Sequence, residues 1–224
     1  MTKKFALIVA GGSGSRMNSS IPKQFMELAG KPVLIHTFEA FRRFDPAIEF
    51  VLVLPENEME SWNELCEKHT FHIEYKVAKG GKTRFESVKN GLELLPDSGI
   101  VFIHDGVRPL VSEQTLQNCL HTAITKGNAL PVVPVSESVR YIDKDKNQSL
   151  DRSKYFLVQT PQTFQLREIK MAYQQPFSTL FTDDASVLEN TGRKISTVEG
   201  NRENIKITFQ EDLQFAEALI DNKM

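Results

Sequence analysis

Arg16 and Lys23 follow a glycine-rich turn in "FALIVAGGSGSRMNSSIPKQF", residues 5–25. Two long cations behind Gly11, Gly12, Ser13 and Gly14 suit the holding of phosphates. Glycine lets backbone N–H groups approach an anion closely, and arginine and lysine neutralise its charge. Pro22 stiffens the chain just before Lys23, which lowers the entropy cost of holding that lysine in place. The dinucleotide pattern G-x-G-x-x-G, counted from Gly12, needs glycine at 17, where the chain has Met17. The P-loop pattern fails as well, because no GK[ST] follows at its spacing. The residues alone leave two readings. One is a cradle for a nucleoside triphosphate; the other is a tight strand-to-helix turn that needs only glycine backbone.

Four further clusters could meet such an anion. "HDGVRP" (104–109) directly follows an apolar run, which sets Asp105 at a strand's carboxyl end, where open α/β sheets bind ligands. A carboxylate there can hold Mg²⁺ against a triphosphate; an Asp-Gly turn with Asp105 paired to Arg108 explains the same residues. "GGKTRFES" (80–87) turns into a helix with Arg84 and Ser87 one turn apart, or serves only to cap that helix through Thr83. "TDDAS" (182–186) opens a helix with a hydroxyl and two carboxylates, a pattern that capping and the helix dipole explain without a ligand. "NIKIT" (204–208) sets Lys206 in a strand-like run, either at an exposed edge or pointing into a cleft. The histidines at 36, 69, 72, 104 and 121 make no metal-ligand spacing and no triad.

These residues need a frame to position them. Runs at 5–10, 49–54, 71–78, 100–104 and 130–135 read as strands, and helical patterns fill 33–44, 57–68, 83–95 and 112–126. In the last of these, Leu116, Leu120 and Ile124 recur every fourth residue between Ser112 as N-cap and Gly127 as stop. The alternation predicts an α/β fold: a Rossmann-like, mainly parallel sheet with helices on both faces. The rhythm breaks at "SVRYIDKDKNQSLDRSKYFLVQ" (138–159), two β-like runs about a lysine-rich turn. It reads as a hairpin arm, at about 137–158, inserted into one nucleotidyltransferase-type domain over 1–224. Isolated hairpins are marginal in water, so Val139, Tyr141, Ile142, Tyr155, Phe156 and Leu157 need a cover. Their own domain is one candidate; a second subunit is the expectation. Helices near 166–174 and from Thr182, strands at 194–198 and 204–208, and a helix at 211–220 complete the reading.

Bulk composition narrows the partners. Lys and Arg number 27 against 29 Asp and Glu, a net charge of −2. No overall basic field exists to draw nucleic acid, so any anion site is local. Cys66 and Cys119 form no CxxC pair and read as small buried or half-buried thiols of a reducing compartment. Lys3 and Lys4 precede an apolar run, but it ends at Ala10, short of the about seven apolar residues of a signal-peptide core. No stretch approaches a membrane span. The expected setting is the cytoplasm, with no membrane or nucleic-acid partner.

Taken together, "AGGSGSRM" with "PKQF", then "GGKTRFESV", "HDGVRP", "QTPQTF", "TDDAS" and "NIKIT" run in that order over residues 10–208. In this the chain resembles the 2-C-methyl-D-erythritol 4-phosphate cytidylyltransferase family of non-mevalonate isoprenoid synthesis, over essentially its whole length. The resemblance implies CTP and a polyol phosphate as substrates and Mg²⁺ as cofactor. It also implies 4-diphosphocytidyl-2-C-methyl-D-erythritol and pyrophosphate as products, and a homodimer whose arm reaches the partner's site. Arg16 and Lys23 match the family's transition-state stabilisers, and Asp105 the aspartate near metal and nucleotide. Ser87 matches a serine beside the cytidine. Lys206 and Arg152 match residues that position the incoming phosphate, Arg152 in the partner's site. Ser138 and Thr160 match threonines that contact that substrate, although related sequences often carry "DT" where this one has Glu137-Ser138. Gly11, Gly12, Ser13 and Gly14 read as the CTP cradle, and Arg108 as a further substrate-binding residue.

The chemistry agrees with the residue types. A phosphate monoester is already largely dianionic at neutral pH and needs no general base. The difficulty is bringing it to the α-phosphorus of an anionic triphosphate, which calls for cations and oriented N–H groups. Two rivals share part of the pattern. Ribitol-5-phosphate cytidylyltransferases have the same fold and "QTPQ", but tend to "HDSVRP" and depart from "TDDAS". A non-catalytic nucleotide-binding module fits poorly with the presence of Arg16, Lys23 and Asp105.

Overall fold

Strand β1 (Lys4–Val9) lies inside the main sheet of the computed structural model, which describes residues 2–11 and 21–221. A short antiparallel pair, β2 (Glu27–Leu28) and β3 (Lys31–Pro32), leads into α1 (Val33–Phe44). Next come β4 (Glu49–Leu54), α2 (Met59–Lys68), β5 (Lys76–Lys79), α3 (Arg84–Glu93), β6 (Ile100–Asp105), α4 (Glu113–Lys126) and β7 (Asn128–Pro134). Strands β8 (Val139–Asp143) and β9 (Lys146–Leu150) form a sheet of their own. The chain ends with β10 (Phe156–Val158), β11 (Gln162–Gln165), α5 (Leu166–Ala172), α6 (Asp184–Glu189), β12 (Thr197–Glu199) and α7 (Gln210–Asp221).

Side-chain alternation along the central strands sorts the core into two layers. Ala6 and Ile8 of β1 face a cluster with α1, α2 and α4, whereas Phe5 and Leu7 face one with α3, α5 and α6. In β6, Ile100 and Phe102 divide from Val101 and Ile103 in the same way. Helices therefore cover both faces, which is why these strands read as unbroken apolar runs. Gly91 lets α3 close onto β1: a Cβ there would meet Leu7 Cδ1 at 2.6 Å.

β1 pairs in parallel with β4 and with β6, and β4 in parallel with β5. The chain steps outward from β1 to β5 and then returns to the other side of β1 as β6. That reversal opens a crevice at the carboxyl ends of β1 and β6, where Val9 and Asp105 are register partners. β11 inserts antiparallel between β6 and β7, β10 runs antiparallel to the end of β7, and β12 runs parallel to β7.

Several boundaries differ from expectation. The run at 71–78 pairs only over Lys76–Lys79; Phe71, Ile73 and Tyr75 alternate because they pack on the first core cluster. Residues 204–208 join no sheet. Their alternation comes from Ile205 and Ile207 packing with Val107 and Leu110, with Ile207 N–H donating to the Val107 carbonyl at 3.0 Å. The strand expected at 194–198 is Thr197–Glu199. β11, whose polar ends hide its strand character, was not anticipated.

Candidate active site

The crevice is a cleft of about 320 Å³ lined by Gly11, Lys23, Thr83, Arg84, Ser87, Asp105 and Lys206 among others. A second chamber of about 300 Å³ is lined by Arg108, Gln159, Thr160, Gln162 and Asp183. Arg84, Asp105 and Lys206 line both. Each wall has a local cause. Buried Gln24 donates from Nε2 to the Ala10 carbonyl at 2.9 Å and to Glu58, which pins the segment carrying Lys23 to the end of β1. Thr83 and Glu86 form a capping box that starts α3. Ser87 Oγ accepts from Gly81 N–H at 2.9 Å and donates to the Thr83 carbonyl at 3.0 Å. Gly81 is required here, since a Cβ would lie 2.3 Å from Glu86 Cβ.

Asp105 is the electrostatic centre. Lys206 Nζ stands 3.0 Å and Arg108 Nε 3.4 Å from its Oδ2, and Arg84 Nε 3.8 Å from its Oδ1. Burial alone would raise the Asp105 pKa, but Lys206, Arg84 and Arg108 outweigh it and hold the carboxyl well below the usual range. One carboxylate therefore gathers three cations at the junction of the chambers. Arg108 is fixed further by donating from Nη1 to the Asn204 carbonyl at 2.7 Å.

A crevice lined by Gly11 and by the cations of Lys23, Arg84 and Lys206, at the reversal of an α/β sheet, is suited to an anionic substrate. The family model described as 2-C-methyl-D-erythritol 4-phosphate cytidylyltransferase matches residues 5–222. The chain belongs to that family. It is thus a nucleotidyltransferase. The Bacteroides fragilis enzyme of that name is 51% identical over 96% of this chain and 98% of its own. The Porphyromonas gingivalis one is 49% identical over 97% and 98%. Among solved structures, the 4-diphosphocytidyl-2C-methyl-D-erythritol synthase of Anaerococcus prevotii superposes with a TM-score of 0.82 at 30% identity. That match covers 98% of this chain and 96% of the other.

Within this cytidylyltransferase fold, the motifs named from sequence largely converge. Gly11, Lys23, Ser87, Asp105 and Lys206 line the first chamber, and Arg108 and Thr160 the second. In "HDGVRP" and "GGKTRFES" the expected turn pairing and helix cap form, and residues of both motifs line the cleft. Lys206 points into the cleft and not to an exposed edge. Gly12, Ser13, Gly14 and Arg16 lie outside the described residues. Ser138 and Arg152 do not enter either chamber of their own chain. Both are exposed on the arm, and the Arg152 guanidinium donates to the Ser136 carbonyl.

Thr160 plays an internal part as well. Its Oγ1 accepts from the Asp105 backbone N–H at 3.1 Å and lies 3.1 Å from His104 Nδ1, while His104 Nε2 lies 2.9 Å from the Arg108 carbonyl. A neutral ring with hydrogen on Nε2 satisfies every partner: Nε2–H donates to the carbonyl and Nδ1 accepts from the hydroxyl. Burial pushes His104 down to about 4, which keeps it neutral. Gln24 and His104 are buried beside the cleft and hold its walls by hydrogen bonds that the sequence did not reveal. A glutamine beside a lysine, or a histidine at the end of a strand, carries no signal until the fold supplies its partners.

Proposed function

We propose that the two chambers divide the two substrates of the family's reaction, CTP in the cleft of Lys23 and Ser87, the polyol phosphate in the cleft of Arg108 and Thr160. The reaction is CTP plus 2-C-methyl-D-erythritol 4-phosphate to 4-diphosphocytidyl-2-C-methyl-D-erythritol plus pyrophosphate, in isoprenoid precursor synthesis. The observation that carries the division is the position of Asp105, Arg84 and Lys206 on the shared wall. A phosphate oxygen of the second substrate attacks the α-phosphorus of CTP there, and the bond to pyrophosphate breaks. Lys23 and Arg16 bear on the charge that develops, worth roughly 3 kcal/mol of barrier for one well-placed donor. Lys206 and Arg108 orient the incoming dianion. No side chain has to remove a proton.

A divalent metal fits this wall. Mg²⁺ commonly takes one or two carboxylates together with substrate phosphates, and the Arg84 Nε that faces Asp105 Oδ1 stands 3.8 Å away, beyond hydrogen-bond reach. Asp105 would hold Mg²⁺, which would neutralise phosphate charge.

The arm is proposed to complete the site from a second copy, so that one domain with its arm forms half of a homodimer. Tyr141, Ile142, Phe156 and Leu157 are exposed in the single chain, and all three residues of β10 are open on both faces. Ser138 and Arg152 then serve the partner's chamber. A cytoplasmic setting is supported by the thiols, Cys119 being buried and pushed up to about 12.

Pyrophosphate release from CTP with each polyol phosphate tests the reading. Turnover with 2-C-methyl-D-erythritol 4-phosphate and little with ribitol 5-phosphate is expected; the reverse preference overturns it.

A further inference from the structure

Asp184 lies far from Asp105 in sequence and outside both chambers, yet it is fully buried. It belongs to "TDDAS", where Asp183 and Ser186 form the capping box: Asp183 Oδ1 accepts from Ser186 N–H at 2.8 Å and Ser186 Oγ accepts from Asp183 N–H at 3.1 Å. Asp184 is therefore free of that duty. Its Oδ1 and Oδ2 accept from Nη1 and Nη2 of Arg84, both at 2.7 Å, and Oδ1 also accepts from the Tyr173 hydroxyl at 2.6 Å. This is a two-pronged clamp between elements 100 residues apart. A buried ion pair alone is weak evidence of function, since such pairs often serve only to compensate each other. Here the cation is not enclosed with its anion. Arg84 keeps 32% of its side chain exposed while Asp184 keeps 0%, and Arg84 lines both chambers.

We propose that Asp184, supported by Tyr173, is a positioning residue for the reaction: it aims Arg84 at the junction of the chambers, where Arg84 binds a phosphate oxygen of the reacting nucleotide. The clamp uses one N–H of each terminal nitrogen. Nε–H faces Asp105 Oδ1 across 3.8 Å, too far for a hydrogen bond. One edge of the guanidinium is thus held rigidly while Nε–H and the outer N–H groups remain for an anion. Without the clamp, Arg84 is drawn to Asp105 and competes there with Lys206. Pre-aimed donors act mainly on the transition state, so the loss falls on kcat more than on KM for CTP. Burial alone would lower the Arg84 pKa; Asp184 and Asp105 more than offset it and keep the guanidinium charged.

The inference rests on the proposed division of substrates, and the test separates the two. Wild-type pyrophosphate release from CTP and 2-C-methyl-D-erythritol 4-phosphate reports on the division. Arg84→Lys, Asp184→Asn and the double variant report on the clamp. Each single change is expected to lower kcat by about tenfold or more with KM for CTP within about threefold. The double variant is expected to be no worse than the weaker single one, because both remove the same interaction. Asp184→Asn leaves Arg84 facing a neutral amide, so Tyr173→Phe provides a gentler variant that removes one hydrogen bond. It is expected to fold and to lose kcat about threefold. Kcat losses that multiply in the double variant would overturn the inference. So would a Tyr173→Phe or Asp184→Asn protein with a lowered Tm but wild-type kcat.

Discussion

Gln24 fastens the chain beyond the glycine loop to the strand before it, its Nε2 lying 2.9 Å from the carbonyl of Ala10. Ala10 precedes the glycine-rich segment and Gln24 directly follows Lys23, so one hydrogen bond joins the end of β1 to the residue beside Lys23. The same amide donates to Glu58, whose carboxyl is raised by burial against the effect of this bond. Gln24→Leu keeps much of the bulk and removes both donors. Stability is expected to fall by about 1–3 kcal/mol, the cost of leaving buried acceptors unmet. Loosening Lys23 is expected to lower kcat/KM for CTP on the order of tenfold. Denaturant unfolding and steady-state kinetics give the two numbers; unchanged kinetics would deny the tether a part in placing Lys23.

Acid should weaken the fold through His104. Burial lowers its pKa to about 4, whereas the unfolded chain's imidazole titrates near ~6.5. Between these values the unfolded chain takes up a proton that the folded chain does not. Stability is therefore complete above about 6.5 and declines as pH falls to about 4. His36, also lowered by burial, adds to the same slope. In His104→Gln the decline in Tm between pH 7 and pH 4.5 is expected to be shallower than in the wild type. Parallel Tm curves would show that His104 is not the group responsible.

Asp105→Asn removes the one charge that Lys206, Arg84 and Arg108 share. The three cations then repel one another, and the wall between the chambers loses its order. Kcat is expected to fall about 100-fold, within the range for removing one electrostatic group from a site of this type. The depressed pKa of Asp105 sets the sign of its effect on stability. Its contribution is present above the unfolded value near ~3.9 and is lost as pH falls toward the lower folded value. Wild type and variant should therefore begin to converge in Tm only below about pH 4, and fully only as pH approaches the lower folded value. A variant with full turnover would remove Asp105 from the mechanism.

The sequence made the sheet legible wherever a strand is covered on both faces, as in β6, because burial leaves an unbroken apolar run. It misled where alternation served packing alone. Ile205 and Ile207 fill a cluster beside α7 without joining a ladder, and β11 hid behind the polar ends of "QTFQ". In the site, Lys23, Ser87 and Asp105 beside glycine turns or a strand end, and Lys206 in "NIKIT", could be singled out locally. Each has a plain structural reading as well, and the resemblance to a known family chooses between the two. Contacts that tie distant segments could not be singled out. Gln24 to Ala10, Arg84 to Asp184 and Thr160 to His104 exist only because the sheet brings their elements together.

The arm supplies the last prediction. In one chain Arg152 stays on its own arm against the Ser136 carbonyl, although the chemistry of the site calls for cations around the incoming phosphate. If the arm serves a second copy, Lys23 and Arg152 of one site belong to different subunits. Lys23→Ala and Arg152→Ala homodimers should then both be nearly inactive. Mixed and allowed to exchange, half of the dimers become hybrids. Each hybrid has one site lacking both cations and one intact site, so about a quarter of wild-type activity should return. Leu157→Asp, which puts a charge on the exposed face of β10, should give a monomer by sedimentation and abolish that recovery. Mixtures that stay as inactive as their parts, while sedimentation shows that subunits do exchange, would mean that Arg152 acts within its own chain or not at all.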